Sequence, residues 1–466
     1  MPETEEYQLR PLGWENSPEE ERLRFSSMDY LAACTYNSYA VFFKLEDEAR
    51  PKAVAVLKEG LERTLAQCSQ LVGTMEKNNH DDDHSFVKKR DSTVRFVVKY
   101  FDAEDNVPSM PNIEKAHFAS SFLGDTTRFV VDGMAYGEKS ECLPSAKPAV
   151  SAYQANFIRG GLIFVVNSLH YANDVMGWAG FVHQLAENCS SIVSKTAPPP
   201  WDPANLDATR FTASDFPSES KVDGPTPPDR HPLLREHSSL LFHLPKSKAV
   251  VLKKHATPTG NGEANPWIST NDAYSALLWR VLTRHRARLY ESDPNETPLF
   301  IEGVNMRPRT DPPVAKRQQR NLFWAAASAS YPDPSPSSRL PPLKESMNQA
   351  ALDQALAMLA PVRDKTCLFT RVNSFPPLTL VLTDWRGAAI CGTADFGFAQ
   401  PCAYRHFFDA VTEELVCIYP PRKSDSSDEG CEFVVTIENE IIEAVLEDPD
   451  MSMYFEFRGY EVKTST

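Results

Sequence analysis

One histidine is set apart by its surroundings. His170 opens the run His170-Tyr171-Ala172-Asn173-Asp174. Histidine ordinarily titrates near working pH, so it suits a general base. A carboxylate four residues on can orient the ring or brace the loop that carries it. The spacing is weak alone in a chain of 11 histidines. It gains weight because the apolar run 161–166 precedes it and reads as a buried strand feeding a turn, a common place for a catalytic loop. A second set, Thr383-Asp384-Trp385, follows the apolar run 378–382. A hydroxyl and an indole N–H are donors that suit a developing oxyanion, while strand-end packing is the plainer alternative. A third set, Asp395-Phe396-Gly397-Phe398, contains the DFG triplet of protein kinases. No Gly-rich phosphate loop, VAIK lysine or HRD sequence accompanies it, so that reading fails. A structural Asp, buried against an arginine and holding a turn, is expected instead.

Other matches carry less. His80-Asp81-Asp82-Asp83-His84 has the residue types of a metal site but reads as a solvated loop. Ser218-Glu219-Ser220-Lys221 has SxxK spacing but lies among prolines. No GxSxG elbow is present, which argues against an α/β-hydrolase. The nine cysteines form no CxxC pair, and no metal site is expected.

These candidates need elements to hold them. Residues 51–75 carry apolar positions at helical spacing and read as an amphipathic helix. Residues 94–100 alternate and are β-branched, so they read as a strand. Residues 177–192 look helical. From 195 to about 232 prolines punctuate a polar stretch that can build neither a long helix nor a core. Residues 237–244 read as a strand. A helix over 270–288 follows, with Thr270 or Asn271 as N-cap. Residues 332–342 form a second Pro/Ser-rich loop, and 433–437 a further strand. The pattern is an α/β chain in two parts: 1–195, a crossover over 196–235, and 236–466.

With 466 residues the chain can bury large cores, and its net charge of −15 argues against nucleic acid as a partner. No run approaches the ~18 apolar residues of a membrane span. The acidic start Met1-Pro2-Glu3 is unlike a signal peptide, and dispersed cysteines suit reduced thiols. A cytoplasmic protein is expected.

Taken together, these pieces resemble the BAHD acyltransferase family, over most of the chain. His170 and Asp174 match its HxxxD motif. Residues 61–73 resemble its early helix and turn, and 270–279 its second-domain helix. Asn305-Met306-Arg307-Pro308-Arg309, followed by Asn321, resembles its basic segment. Thr383-Asp384-Trp385 resembles its Thr-Ser-Trp strand end, and 395–398 the start of DFGWG. The overall character is similar to the branch that acylates fungal secondary metabolites. There are departures: Val175 stands where Gly usually follows the motif Asp, Phe398-Ala399 replaces Trp-Gly, and Arg320 precedes Asn321 where Gly is common.

The resemblance implies two chloramphenicol-acetyltransferase-like domains with mixed sheets and a channel between them. His170 would be the base that activates an alcohol against an acyl-CoA thioester, most simply acetyl-CoA, with Thr383 and Trp385 holding the oxyanion. Asp174 and Asp395 would be structural, Asp174 pairing with Arg307. Lys246, Lys253, Lys254, Arg307 and Arg309 are candidates for binding the CoA phosphates. No permanently bound cofactor is implied, and a monomer suffices. Two rivals stay open: a condensation-type enzyme that uses a carrier-protein thioester, and a non-catalytic ligand-binding homologue.

Overall fold

Runs of β-branched and aromatic residues pair into two large mixed sheets and one small one. The computed structural model describes residues 2–78, 83–102, 106–212, 217–257, 268–293, 296–328 and 346–464. Residues 80–82 of the acidic run and the loop 332–342 lie outside them.

The first sheet has the order β1 (Glu3–Leu9), β6 (Val94–Tyr100), β7 (Ser151–Ile158), β8 (Gly161–Leu169), β3 (Tyr36–Lys44) and β13 (Ala403–His406). Only the β6–β7 pair is parallel. The second sheet has the order β11 (Phe323–Ser328), β10 (Phe300–Asn305), β12 (Leu380–Asp384), β14 (Leu415–Ile418), β15 (Cys431–Glu438), β9 (His237–Leu244) and β16 (Glu456–Val462). There β12 runs parallel to both β10 and β14. A small sheet joins β2 (Glu20–Arg24), β5 (His84–Lys89) and β4 (Thr74–Lys77).

Helices cover the sheets. They are α1 (Arg50–Gln67), α2 (Met110–Lys115), α3 (Val175–Ser194), α4 (Lys246–Ala256), α5 (Thr270–Leu289), α6 (Gln349–Leu359), α7 (Ile442–Leu446) and α8 (Pro449–Tyr454). The apolar faces of α1 and α3 share one core with the first sheet, through Leu57, Leu61, Trp178 and Leu185. The face of α5 that carries Tyr274, Leu278 and Leu282 packs on the second sheet.

Three local expectations change. The helix expected over 51–75 stops at Gln67 and gives way to a turn and β4. Gly73 lets the chain enter β4: its φ is +91°, and a Cβ there would lie 2.1 Å from the Val87 carbonyl oxygen of β5. The cap of α5 is neither Thr270 nor Asn271 but Ser269. It forms a capping box with Asp272, each side chain accepting from the other's backbone N–H. The third change crosses the two-part division of the chain: β13, from the second half, completes the first sheet by pairing with β3. Buried Arg405 on β13 then binds Glu432 of β15 (2.8 Å) and Glu461 of β16 (3.3 Å), tying the two sheets together.

Candidate active site

His170 follows β8 directly, and its N–H donates to the Thr35 carbonyl (2.9 Å). Four residues later Asp174 caps α3, accepting from the Gly177 N–H (2.8 Å). The short segment between strand and helix is therefore pinned at both ends.

The second sheet grips it from the other side. Arg307 Nη1 donates to Asp174 Oδ2 (2.8 Å), and both side chains are largely buried. The Leu322 N–H donates to the same oxygen (2.9 Å). Asn321 Nδ2 donates to the carbonyls of His170 (2.9 Å) and Tyr171 (2.8 Å). Asp174 is thus occupied with holding α3 and the residue 307–322 segment against the turn.

Burial pushes the His170 pKa below its ordinary 6.5, so the imidazole is neutral at neutral pH. Asp174, the His170 and Asn173 carbonyls and Asn321 pull the other way without overcoming burial. Nδ1 is buried and has no hydrogen-bond partner among the described residues. The ring of Phe323 lies 6.4 Å away, at the start of β11.

An aromatic cluster gathers around His406 at the end of β13. Trp385 lies 5.5 Å from His406 and 6.4 Å from Tyr39, between ring centroids. Thr383 and Trp385 are joined to each other: the indole N–H donates to Thr383 Oγ1 (2.9 Å). The expectation of two oxyanion donors is therefore corrected. The Trp385 N–H is already spent, which leaves the Thr383 O–H as the donor of the pair.

Other expectations fare differently. Asp395 is exposed, and among the described residues its carboxylate joins no ion pair. It accepts only from the Gly397 N–H (2.8 Å). The buried Asp–Arg pair expected there does not exist, because its neighbour Phe396 takes the buried position and packs on Phe43 (5.1 Å). Gly397 has φ +74°, and a Cβ there would meet Val193 at 2.9 Å. This turn thus sits at the far end of α3, about 28 Å along the helix from Asp174.

Arg307 does not serve as a free phosphate ligand. Besides Asp174 it donates to the carbonyls of Gln318 (3.0 Å) and Arg320 (2.8 Å). Arg309 is half-buried and binds the Met347 carbonyl (3.0 Å). Lys246, Lys253 and Lys254 lie on α4, which follows β9.

Sequence reasoning missed Asp29, Asn37 and His406. Fully buried Asp29 accepts from Arg320 Nε (3.1 Å) and from the Asn321 N–H (3.0 Å), fixing the segment that grips the turn. Arg320 adopts φ +75°, the left-handed backbone that explains why glycine is common there; its ion pair with Asp29 offsets that strain. For Asn37 the available signal was a polar residue within the largely apolar β3, whereas His406, ending the Ala-Tyr-Arg-His strand β13, carried none.

Two mixed sheets, with a histidine ending a core strand of the first and held by a segment of the second, fit an acyltransferase of the chloramphenicol-acetyltransferase type. Comparison with known proteins gives the family. The trichothecene 3-O-acetyltransferase-like N-terminal domain matches residues 35–189. Acetyltransferase FGR3 of Gibberella zeae is 48% identical over 99% of this chain and 95% of its own. Trichothecene 3-O-acetyltransferase TRI101 of Fusarium sporotrichioides is 25% identical over 91% and 94%. The structure of F. graminearum TRI101 with coenzyme A and T-2 mycotoxin superposes with a TM-score of 0.75, at 18% identity, over 94% of this chain and all of that one. Vinorine synthase superposes with a TM-score of 0.65, at 18% identity, over 97% of each chain. The chain belongs to the BAHD-type acyltransferases, in their trichothecene 3-O-acetyltransferase-like branch.

Proposed function

We propose that this enzyme transfers an acetyl group from acetyl-CoA to a hydroxyl of a small secondary metabolite, with His170 as general base. The carrying observation is a neutral, partly buried imidazole held by a turn that both halves of the chain grip. An alcohol is a poor nucleophile at neutral pH. His170 takes its proton as the oxygen attacks the thioester carbonyl, a contribution of about 10²–10⁴-fold. The carbonyl oxygen becomes an oxyanion and accepts from the Thr383 O–H. Donation by Trp385 to Thr383 Oγ1 polarises that hydroxyl and strengthens it as a donor. As the tetrahedral intermediate collapses, the C–S bond breaks and the His170 imidazolium returns its proton to the departing thiolate. No covalent acyl-enzyme is required, so both substrates are bound together.

Coenzyme A in the TRI101 structures supports the choice of donor. Leu169 and Val175 stand where condensation-type domains carry His and Gly around the same motif, which disfavours a carrier-protein donor. Asp174 and Asp395 act structurally. One chain supplies both walls of the site, which suits a monomer. Among the described residues no helix is long and apolar enough to cross a membrane. All nine cysteines are free, which suits the cytoplasm.

The test is thiol release from acetyl-CoA with a panel of polycyclic alcohols. His170→Ala should lower turnover at least ~10²-fold with the fold intact by circular dichroism. Near-normal turnover in that variant would remove His170 from the role of base.

A further inference from the structure

The segment that reaches His170 from the second half of the chain carries a residue that is unfavourable there twice over. Arg320 adopts φ +75°, a left-handed backbone that strains any residue with a Cβ and that glycine adopts freely. Its side chain is only 3% exposed, so a long cation is buried at the same position. Strain and a buried charge at one residue point to a task for the guanidinium itself.

That task is visible in its partners. Arg320 Nε donates to Asp29 Oδ2 (3.1 Å), and Nη2 donates to the same oxygen (2.5 Å) and to the Arg24 carbonyl (2.9 Å). The guanidinium lies over the rings of Phe86 (4.9 Å) and Phe25 (6.0 Å). Fully buried Asp29 also accepts from the Ser26 N–H (2.7 Å) and hydroxyl (2.9 Å). Its second oxygen, Oδ1, accepts from the Asn321 N–H (3.0 Å) and from Asn321 Nδ2 (3.3 Å). Asn321 Nδ2 also donates to the His170 carbonyl (2.9 Å). An unbroken run of hydrogen bonds, each 3.3 Å or shorter, thus leads from Arg320 through Asp29 and Asn321 to the backbone of His170.

Arg320 meets the turn with its backbone as well: its N–H donates to Asn173 Oδ1 (2.6 Å). The backbone of His170 therefore has two anchors. The Thr35 carbonyl holds its N–H (2.9 Å), and Asn321 holds its carbonyl. The second anchor is as firm as Asp29, whose buried charge Arg320 balances. Without the guanidinium, that carboxylate would lose its cation and shift toward water, drawing Asn321 with it.

We propose that the Arg320–Asp29 pair aims the base: through Asn321 it fixes the backbone from which the His170 imidazole projects. This rests on His170 as the base and adds the residues that hold it in line. Arg320 and Asp29 act through Asn321, so they are positioning residues. Misplacing a reacting group by about 1 Å can cost roughly 10²-fold in rate.

The experiment uses the full chain, acetyl-CoA and an alcohol of the panel that turns over. Arg320→Gly relieves the backbone strain and removes the guanidinium. It should lower kcat about 10–10²-fold while the KM for acetyl-CoA stays within about twofold. Arg320→Lys keeps a cation near Asp29 but lacks the planar fork that reaches Asp29 and the Arg24 carbonyl together, so its kcat should fall in between. The deciding arm is the His170→Ala background. Acting through the base, Arg320→Gly should change the residual kcat there by less than about twofold. A role in the general stability of the site would lower it by the full factor again.

A kcat within about twofold of wild type in Arg320→Gly overturns the proposal, as does an equal further loss in the His170→Ala background or a loss carried by KM alone. Should Arg320→Gly fail to fold, Arg320→Lys decides by the same criteria. Near-normal turnover in His170→Ala would remove the base and this proposal with it. That result differs from a failure of the proposal alone, in which His170→Ala stays slow.

Discussion

The turn at His170 and the turn at Asp395 both carry a short motif containing an aspartate, yet they are held in opposite ways. Asp174 is largely buried and accepts from Gly177, Arg307 and Leu322, linking a helix start to a segment about 130–150 residues away in sequence. Asp395 is exposed and accepts from a backbone N–H two residues on. The first turn is built from long-range polar contacts, as a site that must keep its geometry requires. The second is anchored by Phe396 and a close glycine contact with α3. Equal motif strength in the sequence thus corresponds to unequal roles in the molecule.

The comparison can be broken most sharply at Asp174. Asp174→Ala removes the α3 cap and leaves Arg307 without its carboxylate, so urea denaturation should report a loss of about 3–5 kcal/mol. A loss below 1 kcal/mol would mean the turn is held by other means. Next comes the opposite wall. Thr383→Val keeps the shape but removes the donor, and kcat should fall about 10²-fold with little change in unfolding midpoint. An unchanged kcat would take Thr383 out of the oxyanion site. The Asp395 turn should respond in reverse order to its motif: Phe396→Ala costs about 3–5 kcal/mol by loss of core packing, whereas Asp395→Ala costs about 1 kcal/mol and leaves kcat alone. A larger loss at Asp395 than at Phe396 would refute this assignment. The pH profile gives the finest test. The neutral imidazole is the active form, so kcat falls as pH falls through the His170 pKa. Because burial lowers that pKa, the midpoint should lie below 6.5. A midpoint above 7 would require a different titrating group.

Much of the scaffold was legible from pattern. The strands at 94–100 and 237–244 match β6 and β9, and the helix at 270–288 matches α5 to within a residue. Those elements declare themselves because side-chain periodicity is a local property. Periodicity alone ran the helix through Gly73, and only the resemblance marked a turn there; the approach of β5 is what makes a glycine necessary. The fate of the Trp385 N–H was equally hidden. Two donors two residues apart can serve one oxyanion or one another, and only the rotamers decide.

By itself the sequence determined that a histidine ends a buried strand with a carboxylate four residues on, and that its companions occur in one order along the chain. Those are facts of spacing, and spacing is what a local turn reads. Tertiary structure alone decided that Asn37 and His406, 369 residues apart, share a hydrogen bond. It also decided that Arg307, paired with Asp174 as expected, spends the rest of its guanidinium on two carbonyls, and that β13 crosses into the first sheet. Such pairings depend on how two sheets dock. Burial then selects which polar groups must find each other, since an unpaired one inside the protein costs more than any local preference supplies.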